Sequence, residues 1–346
     1  MVIPRFLTFC FVLIVIHFFS HSAGAQENDA NGEELKELGQ VAFTEGPAWH
    51  PDGSVYFSDV ENNRIMRMDA AGFIRVFRTP SGRANGLVFD KIGRLLCCEG
   101  GREGGNRRLT RTELNGTVTV LADRYEGKRF NSPNDITLDS LGNIYFTDPR
   151  YGDRSDVELL DHQGKAIEGV YRIGPEGRVS RILSDELSRP NGIAVSPDGH
   201  FLFVADNAND AHGFSRKLLR FEFSAQRDIV PGSGKVLFDW GTERGPDGMA
   251  IDQKGRLYVA AGQNHPAPPH ETAKKHKAGI YVISSDDGTL HDIIPVPIDM
   301  ITNCAFGGSD RQTLFITAGH KLWSIRVATP GFLAWPTDSS TGKVIE

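Results

Sequence analysis

One phrase returns six times along this chain: an acidic or amide residue, a short apolar strand, a turn, a second apolar strand and a small polar tail. The copies are EGPAWHPDGSVYFSD (45–59), NGLVFDKIGRLLCCE (85–99), NDITLDSLGNIYFTD (134–148), NGIAVSPDGHFLFVAD (191–206), DGMAIDQKGRLYVAA (247–261) and NCAFGGSDRQTLFITA (303–318). Recurrence at about 40–57 residues belongs to repeat architectures, where each unit is one supersecondary motif that cannot bury its apolar face alone. The first unit parses completely. GPAWHP and SVYFSD are strands joined by the turn Pro51-Asp52-Gly53, and RIMRMD and IRVFRTP are strands joined at Ala70-Ala71-Gly72. Runs rich in Val, Ile, Phe and Tyr, bounded by Gly, Asp and Pro, read as hairpin strands. Four antiparallel strands make a propeller blade, and six such blades close into a ring.

The expected fold is therefore all-β: a six-bladed β-propeller with four antiparallel strands per blade, over roughly residues 35–330. The sixth unit has only KLWSIRV after its first two strands. Its outer strand is expected to come from ELGQVAF (37–43), which runs straight into Glu45 and leaves no open sheet edge. Residues 26–34 read as a flexible N-terminal segment and 331–346, rich in Pro and Ser, as a C-terminal tail. In such a blade the first strand lines the central channel. The lead residues Glu45, Asn85, Asn134, Asn191, Asp247 and Asn303 then face one another around one mouth. Long loops between second and third strands, including 149–168 and 262–277, open on that side and mark it as the working face.

Bulk properties narrow the class. A chain of 346 residues with 39% hydrophobic and 24% charged residues is ordinary for a soluble globular protein. A net charge of −6 without a basic half argues against nucleic acid as a partner. The first 25 residues differ: Arg5 is the only charge, an apolar run follows from Phe6 to Phe19, and Ala23-Gly24-Ala25 supplies small residues. This pattern reads as a secretory signal peptide cleaved near Ala25; the run is short for the ~20 residues of a membrane span. The expected location is periplasmic or extracellular, with no stable membrane anchor. Beyond it, Cys97, Cys98 and Cys304 cannot build a disulfide framework and are expected to be buried thiols. Asn115-Gly116-Thr117 is a glycosylation sequon, relevant only in a eukaryotic secretory pathway.

The lead positions carry the chemistry. Glu45 and Asp247 bring two carboxylates into a narrow channel, which is costly unless they are paired or metal-bound. No Lys or Arg occupies a lead position. Calcium takes ~6–8 oxygen ligands from carboxylates, amide carbonyls and water with tolerant geometry. Zinc favours His or Cys, and neither leads a repeat. Ca2+ in the channel is the expectation, with another divalent cation such as Zn2+ or Mg2+ as a substitute.

Four stretches, EGPAWHPDGSVYFSDVENNRI, RFNSPNDITLDSLGNIYFTDPRYG, RPNGIAVSPDG and GPDGMAID, resemble the regucalcin–gluconolactonase–luciferin-regenerating family, also known as the senescence marker protein family. The resemblance extends over nearly the whole chain beyond residue 25. It implies one Ca2+ at the channel mouth held by Glu45, Asn134, Asn191 and Asp247, and hydrolysis of a lactone or related ester. A metal there would act as a Lewis acid on the carbonyl. Asp247 is the candidate general base; a nucleophilic role, or one limited to balancing the metal's charge, are the alternatives. Asn85 and Asn303 share the ring position and are expected to meet substrate or water. Glu99, which like Asp148 closes the second strand of its unit, joins Tyr151 in DPRYG and His320 after the last unit's second strand as further substrate-facing candidates. Gly100 stands in CCEGG where bacterial gluconolactonase-like members carry a His. The expected partner is a small lactone or ester, and the expected state a monomer or dimer. The rival reading is a non-catalytic NHL-like propeller binding module. Its repeats would be interchangeable, whereas the lead order Glu, Asn, Asn, Asn, Asp, Asn is not.

Overall fold

The structure is a computed structural model that describes residues 32–151, 153–209 and 215–333; the expected signal peptide, 1–25, lies outside the described residues. The described residues form six four-stranded antiparallel sheets and one short hairpin, Arg124–Tyr125 with Lys128–Arg129. The innermost strands are Thr44–Trp49, Ala84–Phe89, Ile136–Leu138, Pro190–Val195, Met249–Ile251 and Ile301–Gly307. In blades one to five the strands pair in chain order from the channel outwards. Blade six is completed by Lys36–Gln40, which pairs antiparallel with Lys321–Arg326, Glu37 standing opposite Trp323. The two ends of the propeller are thus joined within one sheet, and the ring closes as the repeat count demands.

Burial follows the layering. Second strands such as Val55–Asp59 and Leu95–Glu99 are buried throughout, because neighbouring blades cover both faces. Outermost strands such as Ile74–Arg78 and Val118–Ala122 are largely exposed or half-buried. The core lies between blades: Tyr258, Ile280, Phe306, Ile316 and Trp323 join blades five and six, and Tyr145, Val170, Val204 and Phe221 join three and four. Cys97, Cys98 and Cys304 are free and buried in these layers. Among the described residues no helix is long and apolar enough to cross a membrane.

The acidic residue that ends the second strand has an architectural task. Asp148 accepts hydrogen bonds from the backbone N–H groups of Asn131 and Ser132 at 2.8 and 2.7 Å. Asp206 does the same for Ser188 and Arg189, and Asp59 for Ala42 and Phe43. Buried backbone donors must find partners, so each carboxylate fastens the segment that delivers its own blade's lead residue to the channel.

Beyond the lead residues the inner strands surround a cavity of 140 Å³, lined by apolar side chains including Leu87, Ile193, Met249 and Phe306. Phe332 and Leu333 also line it. They are held there because Gly331 bridges to Asp252 and Phe332 N–H donates to Ile251 O at 2.9 Å. The channel therefore has a polar upper mouth and an apolar lower chamber.

Candidate functional site

The lead residues meet because the residue after four of them is glycine. A Cβ at Gly192 would sit 2.1 Å from Asp247 O, and one at Gly248 would sit 1.9 Å from Asn303 Cγ. Gly46 is pressed against Asn85 and Gly86 against Asn134 and Asp135 in the same way. The Asn-Gly and Asp-Gly pairs are thus close-approach points between adjacent inner strands, where any side chain would collide.

Asp247 and Glu45 form the acidic centre. Both are buried. Burial pushes Asp247 up to about 6, against the opposing pull of Arg244 and a hydrogen bond from the Asn191 side chain. Burial, and then the charges of Asp247 and Asp135, push Glu45 well above the ordinary carboxylate range. The Gly46 N–H, which donates to Glu45 Oε2 at 3.0 Å, and the Arg244 charge act in the other direction. Asn191 Nδ2 donates to Tyr151 Oη at 2.9 Å, and that hydroxyl donates to Asn207 O at 3.1 Å. Tyr151 is further held by the Arg189 guanidinium, 5.1 Å from its ring centre. Its phenol is raised by burial first and by Asp247 second. Tyr151, Asn191 and Asp247 are therefore one contiguous group. Asn134 is fixed through its backbone, its N–H to Thr147 O at 2.9 Å and its carbonyl to Gly86 N–H at 2.7 Å. Asn85 Oδ1 is buried and has no hydrogen-bond partner among the described residues.

The other sequence-predicted residues have different surroundings. Asn303 turns inward. Its Oδ1 accepts from Cys304 N–H at 2.8 Å and its Nδ2 donates to Asp135 Oδ1 at 3.4 Å. Glu99 is enclosed by Arg78, Thr110, Asn106 and Arg108, at 2.9, 2.8, 2.6 and 2.7 Å. Both of its oxygens are occupied by side chains of blades one and two. His320 is exposed in a turn of blade six, where its carbonyl accepts from Val41 N–H.

Two residues that sequence reasoning passed over stand in the centre. Asp135 accepts from Ile193 N–H at 3.2 Å and from Asn303, so blade three's carboxylate reaches blades four and six. Burial pushes it up to about 7. With Asn303 it floors the mouth, since both also line the lower chamber. The available signal was that Asp follows Asn134 where four other repeats have Gly. The second is Arg244, buried, whose Nη2 donates to Asp247 Oδ2 at 3.1 Å. No lead position is basic, yet a guanidinium reaches the ring from three residues upstream.

This donor set suits a hard cation. Three carboxylates, Glu45, Asp135 and Asp247, act on one another through the low-dielectric channel, opposed there by Arg244. The excess negative charge and the unpartnered Asn85 oxygen are what an oxygen-seeking divalent ion would satisfy. Among the described residues no three His, Cys, Asp or Glu side chains gather as a ligand set. A metal at the mouth would therefore draw on asparagine oxygens as well as on Glu45 and Asp247.

The chain is similar to known proteins over most of its length. Residues 43–320 match the sequence profile of the SMP-30/Gluconolactonase/LRE-like region. A gluconolactonase of Zymomonas mobilis is 31% identical over 311 residues, covering 84% of this chain and 80% of that protein. The structure of a gluconolactonase from Xanthomonas campestris superposes with a TM-score of 0.71 at 28% identity, covering 88% of this chain and 93% of the other. A calcium-binding regucalcin from Agrobacterium tumefaciens shares the fold, with a TM-score of 0.67 at 18% identity, covering 87% of this chain and 96% of the other.

Proposed function

We propose a specific reaction for this chain, which belongs to the SMP-30/Gluconolactonase/LRE-like family, a family of gluconolactonase-type lactonases. It is a Ca2+-dependent hydrolase that opens a sugar lactone or related ester at the upper mouth of the channel. The observation that carries the metal is the buried surplus of carboxylate at one point: burial raises both Glu45 and Asp247, and the charge of Asp247 raises Glu45 further, against the opposing guanidinium of Arg244. Glu45, Asn134, Asn191 and Asp247 would hold the ion. Bound Ca2+ would supply Lewis-acid polarisation of the lactone carbonyl. Asp247, oriented through Oδ2 by Arg244, is placed to take the proton of the attacking water as the ring opens. Asn85, with its unpartnered Oδ1, is placed to accept a hydrogen bond from a substrate hydroxyl or from water. Tyr151 holds the Asn191 amide through its hydroxyl, close enough to feel the charge of Asp247. The character of residues 1–25 supports export, so the enzyme would act in a periplasmic or extracellular space rich in calcium.

The test pairs metal content with turnover. The purified chain should carry a divalent cation, and chelation should abolish hydrolysis of D-glucono-1,5-lactone and lower the melting temperature. Calcium should restore both. A protein that holds no cation and keeps full lactone hydrolysis in chelator would sink the metal half of the reading; one that opens no lactone or ester would sink the other half.

A further inference from the structure

Arg244 is seated between two carboxylates that belong to different parts of the molecule. On one side its Nη2 meets Asp247 Oδ2 at 3.1 Å; on the other its Nη1 lies 4.0 Å from Glu271 Oε1. All three side chains are more than nine-tenths buried. Glu271 sits on the long segment 262–277, a strap between the second and third strands of blade five. The strap is fastened to the segment that precedes Asp247: Thr272 N–H donates to Thr242 O at 3.1 Å, Thr272 Oγ1 to Glu243 Oε1 at 2.7 Å, and Gly262 N–H to Arg244 O at 3.1 Å. Arg244 Nε and Glu271 Oε1 are nevertheless buried without hydrogen-bond partners. Buried donors and acceptors are rarely left so. The guanidinium is thus not placed to complete its own hydrogen bonding, and what its position does achieve is a fixed donor on one oxygen of Asp247.

We propose that Arg244 is a positioning residue for Asp247, and that the 262–277 strap holds it in place through Glu271. With Oδ2 engaged by Arg244 and the Asn191 side chain bonded to the same carboxylate, Asp247 is held in one orientation toward the metal and the attacking water. A planar, permanently charged guanidinium suits this task, because it fixes the plane of the carboxylate as well as its charge. The same positive charge opposes the cation, so the arrangement gives up metal affinity for orientation. The strap becomes a working part of the site, acting from the outer end of a carboxylate–guanidinium–carboxylate chain. This inference rests on the hydrolase reading above.

The experiment compares Arg244→Lys, Arg244→Met and Glu271→Gln in the full chain. It reads Ca2+ affinity by calorimetry, melting temperature, and kcat and KM for D-glucono-1,5-lactone. Lysine keeps the charge and loses the planar fork. Arg244→Lys should bind Ca2+ as the wild type does while kcat falls about 10–100-fold, the usual reach of a group that orients a metal ligand. Arg244→Met should lose kcat similarly yet bind Ca2+ at least as tightly, since a positive charge has left the site. Glu271→Gln, which keeps shape, should lower kcat by a smaller factor with KM held. Wild-type kcat in Arg244→Lys would reduce the residue to a charge and overturn the proposal. So would parallel loss of Ca2+ affinity, kcat and melting temperature in Arg244→Lys and Glu271→Gln, the signature of a plain structural ion pair. Unchanged kcat in Glu271→Gln would overturn the part assigned to the strap. Failure of the hydrolase reading looks different, because there the wild type itself binds no Ca2+ and opens no lactone, and both conclusions go together.

Discussion

The two ends of the central channel are built from the same six strands and have opposite characters. At the upper mouth stand Glu45, Asp247 and three asparagines, ringed by Tyr151 and Arg244. A few residues further along those strands lie Leu87, Ile193, Met249 and Phe306, around a 140 Å³ chamber covered by Phe332 and Leu333. Only Asp135 and Asn303, bonded across the channel, lie between them. Each end answers a different physical demand. Inner strands packed edge to edge need apolar side chains to close the ring, whereas the chain segment feeding each strand is held by backbone hydrogen bonds and can carry polar groups. A propeller can therefore keep a costly cluster of charge at one mouth without weakening the wall below it.

That division predicts effects that stay on their own side of the floor. The largest belongs to the mouth. Asp247→Asn should lower kcat for lactone hydrolysis by about 10²–10⁴-fold, the range for loss of a general base, with the β-sheet circular dichroism spectrum intact. The counterpart below is Phe306→Ala. Phe306 is 1% exposed and meets Tyr258 edge-on at 4.9 Å. Its truncation should cost about 3–5 kcal/mol of stability in denaturant titrations, while Ca2+ affinity and KM stay within about twofold of wild type, as expected for a site far from the reacting groups. Parallel loss in both assays for either variant would mean that the two ends are one unit.

Glu99 tests the boundary of the mouth. Its carboxylate is filled by four donors, Arg78 of blade one and three from blade two, so Glu99→Gln should destabilise by about 3 kcal/mol, as when a buried pair loses one partner. A raised KM at unchanged stability would return Glu99 to the substrate. The smallest effect is one of pH. Glu45 and Asp247 carry folded-state pKa values above their unfolded ones. In metal-free protein their contribution to stability is fully present below the ordinary carboxylate range and is lost as pH rises through their folded-state values, about 6 for Asp247. Calcium needs the ionised forms and acts in the opposite sense. Its affinity should fall about tenfold for each pH unit below that value, and the Ca2+-induced rise in melting temperature should be small at pH 5 and large at pH 7.5. A rise independent of pH would place the ion away from these carboxylates.

Much of this was legible in the chain. The period-two strands, the turn residues and the six-fold recurrence specify the blades, and the spare strand before Glu45 completes blade six as the short last repeat requires. These are local signals, carried by alternation and turn chemistry within some fifteen residues. The lead residues were equally visible, because a polar residue at one fixed position of a repeat stands out against its neighbours. Hydrogen bonding and charge across the channel were not. Asp135 looked like an ordinary member of an Asn-Asp pair until blade three was set opposite blade six. Nothing in the sequence singles out Arg244, whose guanidinium meets Asp247 only in the folded chain. Asn303 and Glu99 carry the right side chains at repeat-equivalent positions, yet where those side chains turn depends on blades far off in sequence or on neighbouring strands.

Repeat periodicity thus determines the architecture and nominates the mouth, since both depend on residue types at fixed spacing along one strand. Which of these groups bond to one another across the channel, and which brace a blade, were decided only when six blades met. Those outcomes depend on distances between chain segments far apart in sequence, 168 residues for Asn303 and Asp135, and on burial that raises the energy of every unpaired charge at the centre.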